Sequence, residues 1–276
     1  MNDCAAILQI RGLSKQYVSR DALMRRRAGV TALQDVSLKV ETGESVAVIG
    51  ESGSGKSTLA RCIVRMEEAD IGKILFRGTD LAKLTMSELR PFRSQVQLIV
   101  QDSAGSLNPR FTAAEIIEEP LVIQGIGTGG ERRAQVLELI GRVGLGGDWA
   151  ERRVTQFSGG QRQRLAIARA LVLRPALLIL DEALTGLDLS TQAQVLNLLL
   201  ELKDSYALTY LFISHDLGLV SRVADRIAVM HGGRIVECGK PQDILQRPQH
   251  PQTIALVNSA LTMRRDMNAQ AAAGGR

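Results

Sequence analysis

The run Gly50-Glu51-Ser52-Gly53-Ser54-Gly55-Lys56-Ser57 fills every fixed position of the pattern GxxxxGK[ST], which binds phosphate. Glycines there let successive backbone N–H groups turn inward around phosphate oxygens, in conformations that a Cβ would obstruct. Lys56 is placed to reach the β- and γ-phosphates of a triphosphate, and the Ser57 hydroxyl to ligate Mg²⁺. Ser52, Gly53 and Thr58 complete the cradle.

Asp181 and Glu182 close the apolar run Leu177-Leu178-Ile179-Leu180. At a strand end Asp181 can hold Mg²⁺, directly or through water, and Glu182 can polarise an attacking water as a general base. A third segment places Ser158, Gly159, Gly160 and Gln161 ahead of the helical run Leu165-Ala166-Ile167-Ala168-Arg169-Ala170-Leu171. It makes a second anion-receptive helix start. One nucleotide rarely needs two cradles from one chain, so this one is expected to serve a nucleotide held by another copy. The plainer alternative is a glycine-rich helix cap.

Short apolar runs must position these residues. Ser45-Val46-Ala47-Val48-Ile49 is β-branched and ended by glycine, and so reads as a buried parallel strand. Helical sequence from Thr58 to Arg65 follows the glycine loop, giving the start of a βαβ unit. Leu177 to Leu180 and Leu208 to Ile213 are two more strands, each ending in polar residues at the edge where open α/β sheets bind ligands. Residues 87–155 read as an inserted, mostly helical segment, and residues 256–276 as a flexible tail.

At these motifs the chain resembles an ATP-binding cassette ATPase over residues 5–255. The resemblance implies an α/β fold: a P-loop NTPase core with a mainly parallel sheet at about 5–86 and 156–245, an N-terminal antiparallel β subdomain, and a helical subdomain at about 87–155. Phe157-Ser158-Gly159-Gly160-Gln161 is similar to the family's LSGGQ signature with phenylalanine for the leading leucine. By the same resemblance Gln101 is the glutamine that senses Mg²⁺ and the transmembrane partner, and His215 the histidine that contacts the γ-phosphate. Asp188 is the aspartate that communicates across a dimer, although Thr185-Gly186 departs from the usual Ser-Ala before it. Tyr17 resembles the aromatic that stacks on adenine, with core packing as its alternative. ATP and Mg²⁺ are the implied cofactors. Each composite site would take Lys56, Ser57, Asp181, Glu182, Gln101 and His215 from one copy and Ser158, Gly160 and Gln161 from a head-to-tail partner, identical or paralogous.

A chain of 276 residues, 45% hydrophobic, can bury one large domain, which argues against disorder. Its net charge of +5 is compatible with anionic partners and selects none. Cys4, Cys62 and Cys238 lack metal-site spacing and point to a reduced cytosol. No run approaches the roughly 18 apolar residues of a membrane span, and the first residues carry no export signal. Membrane association is therefore expected through a partner, at the cytoplasmic face of the inner membrane.

Residues 101–110, the insertion from Val18 to Val30 and the tail Arg247-Pro248-Gln249-His250-Pro251-Gln252-Thr253 resemble ATPases of oligopeptide, dipeptide and nickel importers. That resemblance implies permease subunits and an extracytoplasmic substrate-binding protein as partners, and a docking surface at residues 101–110. The short C-terminal region and Asp181-Glu182-Ala183 resemble the nickel type, whereas the segments from Phe157 and from Ser106 resemble the peptide type, which is favoured. Arg25-Arg26-Arg27 reads as a solvated loop or a contact to lipid headgroups. A soluble cassette ATPase acting on nucleic acid is the rival class, usually marked by two cassettes or a coiled-coil insertion. Neither is in this sequence, so no nucleic acid is expected. A kinase or GTPase would have no use for the Phe157 to Gln161 segment, and an exporter is a minor option.

Overall fold

The computed structural model describes residues 6–17, 29–101 and 105–273, with side chains described through residue 262. Cys4, most of the Val18 to Val30 insertion, including Arg25-Arg26-Arg27, and residues 102–104 of the expected docking loop lie outside the described residues. The chain divides into two compact units, Met1–Ala82 with Leu211–Arg276, and Lys83–Tyr210.

The first unit opens with β1 (Ala6–Tyr17), β2 (Val30–Glu41), β3 (Ser45–Ile49), α1 (Lys56–Ile63), β4 (Ile71–Phe76) and β5 (Thr79–Asp80). An antiparallel sheet in the order β2-β1-β4-β5 forms the expected N-terminal β subdomain. Val36, Leu38 and Val40 alternate to one buried face and pair with Leu13, Ile10 and Leu8, so apolar cross-strand pairs set the register. By contrast every residue of β3 is buried, as a strand covered on both faces requires.

In the second unit the order is α2 (Arg90–Gln95), β6 (Val96–Ile99), α3 (Ala113–Gln124), α4 (Gly129–Arg142), α5 (Gly159–Leu171), β7 (Leu177–Asp181), α6 (Leu189–Tyr206) and the start of β8 (Thr209–Ser214). Pairing of β6 with β7 is parallel, from Val96↔Leu177 to Ile99↔Leu180. The stretch expected to be a helical insertion therefore holds a strand. Val96-Gln97-Leu98-Ile99 is short and apolar, and parallel pairing to a fully buried neighbour outweighs its helical surroundings. Helices α3 and α4 begin with capping boxes, Thr112 with Glu115 and Thr128 with Glu131. Ion pairs Arg169–Glu119 and Arg132–Glu118, both 2.8 Å, tie α3 to α5 and to α4.

The first unit resumes with α7 (Leu217–Val220), β9 (Arg226–His231), β10 (Arg234–Gly239), α8 (Pro241–Gln246) and α9 (Pro251–Ala273). Strand β9 runs parallel to β3 and antiparallel to β10. Residues 256–273, expected as a tail, continue α9 as helix; the run from Gln252 to Ala273 contains neither glycine nor proline to stop it.

Candidate nucleotide-binding site

In the first unit the loop after β3 turns into α1 at Gly55, whose φ of 103° lies in the left-handed region that glycine tolerates. A Cβ there would come 2.2 Å from the Ala32 carbonyl oxygen, so β2 admits only glycine at the helix start. Lys56, 6% exposed, donates from Nζ to the carbonyls of Gly50 at 2.7 Å and Glu51 at 2.8 Å. These bonds fold the ammonium back across its own loop, beside the N–H groups of the first helical turn, which have no intrahelical acceptor. Such a set of donors suits phosphate oxygens. Ser52 and Gly53 are exposed at the loop tip, Ser57 is half-buried and Thr58 is buried. Tyr17 ends β1, 39% exposed, with its hydroxyl 3.4 Å from Thr58 Oγ1. His215 follows β8 and is exposed, while the next residue, Asp216, caps α7.

Within the second unit Asp181 is the last residue of β7 and is buried, and Glu182 begins the turn beyond it. Glu182 holds φ at 52°, a region that costs a side-chain-bearing residue about 1–3 kcal/mol. Thr185 braces it: its Oγ1 donates to Glu182 Oε2 at 2.7 Å. Sequence reasoning noted Thr185 only as a departure from a motif. Its spacing of three from Glu182, the reach of a single turn, was the available signal. Gln101 is exposed just beyond β6.

Ser158, which is exposed, and the half-buried Gln161 are hydrogen-bonded to each other. Ser158 Oγ accepts from the Gln161 N–H at 3.4 Å, and Gln161 Oε1 accepts from the Ser158 N–H at 2.8 Å, a capping box on α5. The helix-cap reading is thus physically present. It leaves the Gly159 and Gly160 N–H groups in the helix's first turn, where an anion is stabilised. Asp188 likewise caps its own helix, α6, accepting from the Thr191 N–H at 3.0 Å and the Thr191 hydroxyl at 2.7 Å. The Thr191 hydroxyl first, then its N–H, hold the Asp188 carboxyl below the usual carboxylate range. Thr191 also reaches α5, since a Cβ on Gly160 would lie 2.4 Å from Thr191 Cγ2.

A family model described as ABC transporter matches residues 33–185. A putative peptide import ATP-binding protein of Brucella ovis is 45% identical over 253 residues, 92% of this chain and 78% of that protein. The oligopeptide transport ATP-binding protein AppF of Bacillus subtilis is 44% identical over 261 residues, 94% of this chain and 79% of that protein. Among solved structures, the dimeric post-hydrolysis state of the ATP-binding cassette MJ0796, bound to ADP and phosphate, is similar at a TM-score of 0.75 and 29% identity. The match covers 85% of this chain and 98% of that one. With a lysine-bearing phosphate loop on α1 and a serine-glycine start to α5, the chain belongs to the ATP-binding cassette transporter family, as a nucleotide-binding ATPase subunit.

Proposed function

We propose that this chain hydrolyses ATP to power peptide import through a membrane permease. The observation that carries the reading is a pair of dissimilar helix starts in one chain: Lys56 folded across the loop before α1, and the capped Ser-Gly-Gly start of α5. The first suits a triphosphate held by this copy. The second suits the γ-phosphate held by another copy, in a head-to-tail dimer with itself or a paralogue. Peptide as cargo is supported by the relatives named above.

In this reading the ATPase domain spans residues 5–255. Lys56 and the N–H groups of residues 50–58 bind the phosphates, and Tyr17 stacks on adenine. Glu182 accepts the proton of an attacking water as the new oxygen–phosphorus bond forms and the β–γ bridge breaks, with His215 steadying the γ-phosphate. Ser158, Gly159, Gly160, Gln161 and Asp188 act on the partner's nucleotide. Ser57, Asp181 and Gln101 offer oxygen donors of the kind Mg²⁺ takes, and few of them, as suits an ion that keeps waters and phosphates in its shell. When bound, Mg²⁺ neutralises charge on the β- and γ-phosphates. Among the described residues no group of three or more His, Cys, Asp or Glu that could hold a metal ion is present.

No helix among the described residues is long and apolar enough to cross a membrane, so the permease is the means of attachment in this reading, at the cytoplasmic face of the inner membrane. An extracytoplasmic binding protein delivers cargo. The test is to purify the chain with the permease and binding protein encoded beside it and to measure ATPase activity against peptides and against nickel or a nickel chelate. Stimulation by peptides is expected; stimulation by the metal alone would transfer the assignment to metal import. The Glu182→Gln variant should bind ATP, turn over at most about a hundredth as fast, and accumulate as a dimer on size exclusion.

A further inference from the structure

The end of β1 is fastened by two carboxylates from the connection between α1 and β4. Asp70 Oδ2 accepts from the Gln16 N–H at 2.6 Å, and Asp70 Oδ1 from Lys15 Nζ at 3.3 Å. One residue further, the Tyr17 hydroxyl donates to Glu67 Oε2. The other oxygen of Glu67 meets Arg61 Nε at 2.6 Å, and the Glu67 N–H bonds the Arg61 carbonyl at 3.2 Å. Arg61 lies in α1, the helix that begins with Lys56 and Ser57. The tyrosine is thus referenced, through Glu67 and Arg61, to the helix that carries the phosphate-binding lysine. Lys15 Nζ sits 5.7 Å from the ring centroid and backs one face.

We propose that Glu67 is a positioning residue for nucleotide binding, holding Tyr17 as a preset platform for the base at a fixed distance from the phosphate loop. The inference rests on the reading of Tyr17 as the base-stacking residue. A side chain 39% exposed would otherwise sample several rotamers, and ordering it on binding would cost affinity. Glu67 removes that cost beforehand. It touches the phenol oxygen, at the ring's rim, and leaves the face away from Lys15 for stacking. An ordinary surface ion pair would contribute nothing to base recognition, and that difference can be measured.

The experiment titrates the full chain calorimetrically with ATP and, separately, with inorganic tripolyphosphate, which has no base. Tyr17→Ala should weaken ATP about tenfold, the value of one lost stack, and leave tripolyphosphate unchanged. Glu67→Ala should weaken ATP about threefold to fivefold with tripolyphosphate again unchanged, a loss smaller than that of the whole ring. Glu67→Gln, which keeps an acceptor for the phenol, should recover near wild-type affinity. Tyr17→Phe combined with Glu67→Ala should be no worse than either alone, because both remove one hydrogen bond. If Tyr17→Ala leaves ATP affinity intact, the stacking reading falls and this inference with it. Should Tyr17→Ala weaken ATP while Glu67→Ala leaves it unchanged, or weakens tripolyphosphate equally, stacking stands and positioning by Glu67 is overturned.

Discussion

The hydroxyl of Thr185 donates to the Glu182 carboxylate at 2.7 Å while the Thr185 N–H donates to the Glu182 carbonyl at 3.0 Å. Side chain and main chain close the same turn, around a residue held at φ 52°. A backbone in that region persists only when its surroundings over-determine it, and Thr185 supplies two of the constraints. Thr185→Val keeps the shape and removes the donor. It should lower the ATPase kcat about tenfold, on the scale of one hydrogen bond to a charged group, with KM for ATP nearly unchanged. Thr185→Ser should restore kcat. A Thr185→Val enzyme turning over at the wild-type rate in steady-state assays would show that the bond does not aim the carboxylate.

Gly160 and Thr191 join the starts of α5 and α6. The 2.4 Å approach of a Gly160 Cβ to Thr191 Cγ2 cannot be relieved by rotating Thr191, because its hydroxyl is engaged by Asp188 at 2.7 Å. Gly160→Ala should destabilise the fold by about 1–3 kcal/mol, an overpacking cost. That corresponds to a thermal midpoint lower by roughly 3–10 °C. Adding Thr191→Ser removes the methyl, keeps the hydroxyl, and should recover most of the loss. Equal melting of Gly160→Ala and wild type would mean that the two helix starts separate freely.

The cap that Ser158 forms and its proposed contact with a partner's nucleotide can be tested separately. Asp caps a helix as well as Ser does, so Ser158→Asp should melt within about 2 °C of the wild type. Its carboxylate would repel a neighbouring copy's γ-phosphate, and ATPase activity should fall at least about tenfold. Full activity in a normally folded Ser158→Asp protein would leave only the cap.

The chemistry-bearing runs were legible because their constraints are local. Gly50 to Ser57 needs a glycine loop and one lysine in a fixed order, and Leu177 to Leu180 is a strand whose both faces are covered, so each announces itself within a few residues. Strand β6 was not legible. Val96-Gln97-Leu98-Ile99 is four residues beside helical sequence, and only pairing with β7, some eighty positions later, makes it a strand. The braces were hidden for the same reason. Glu67 and Asp70 look like surface acids until β1 is brought beside them by the sheet. Thr191 looks like an ordinary helix residue until Gly160 approaches it. What a residue touches across the fold is a property of packing, which spacing along the chain does not encode.

Cys62 links pH to the same helix. It lies buried in α1, and burial first, then the Glu67 carboxylate, push its thiol from 9.0 up to about 11. An unfolded chain sheds that proton near 9.0 while the folded chain keeps it to about 11, so its contribution to stability is intact below pH 9 and declines as pH rises through that window. At pH 10.5 the loss should be about 1–2 kcal/mol relative to pH 8. Cys62→Ala lacks the group, so subtracting its urea-unfolding free energies at the two pH values from those of the wild type isolates the thiol from tyrosines and lysines that titrate nearby. If the two proteins lose equal stability between pH 8 and 10.5, the thiol ionises as readily folded as unfolded. In that case the side of α1 that carries Cys62 is open to solvent. A parallel readout is labelling at pH 8, where the exposed Cys238 should react with a maleimide and Cys62 should remain unmodified until the fold is disrupted.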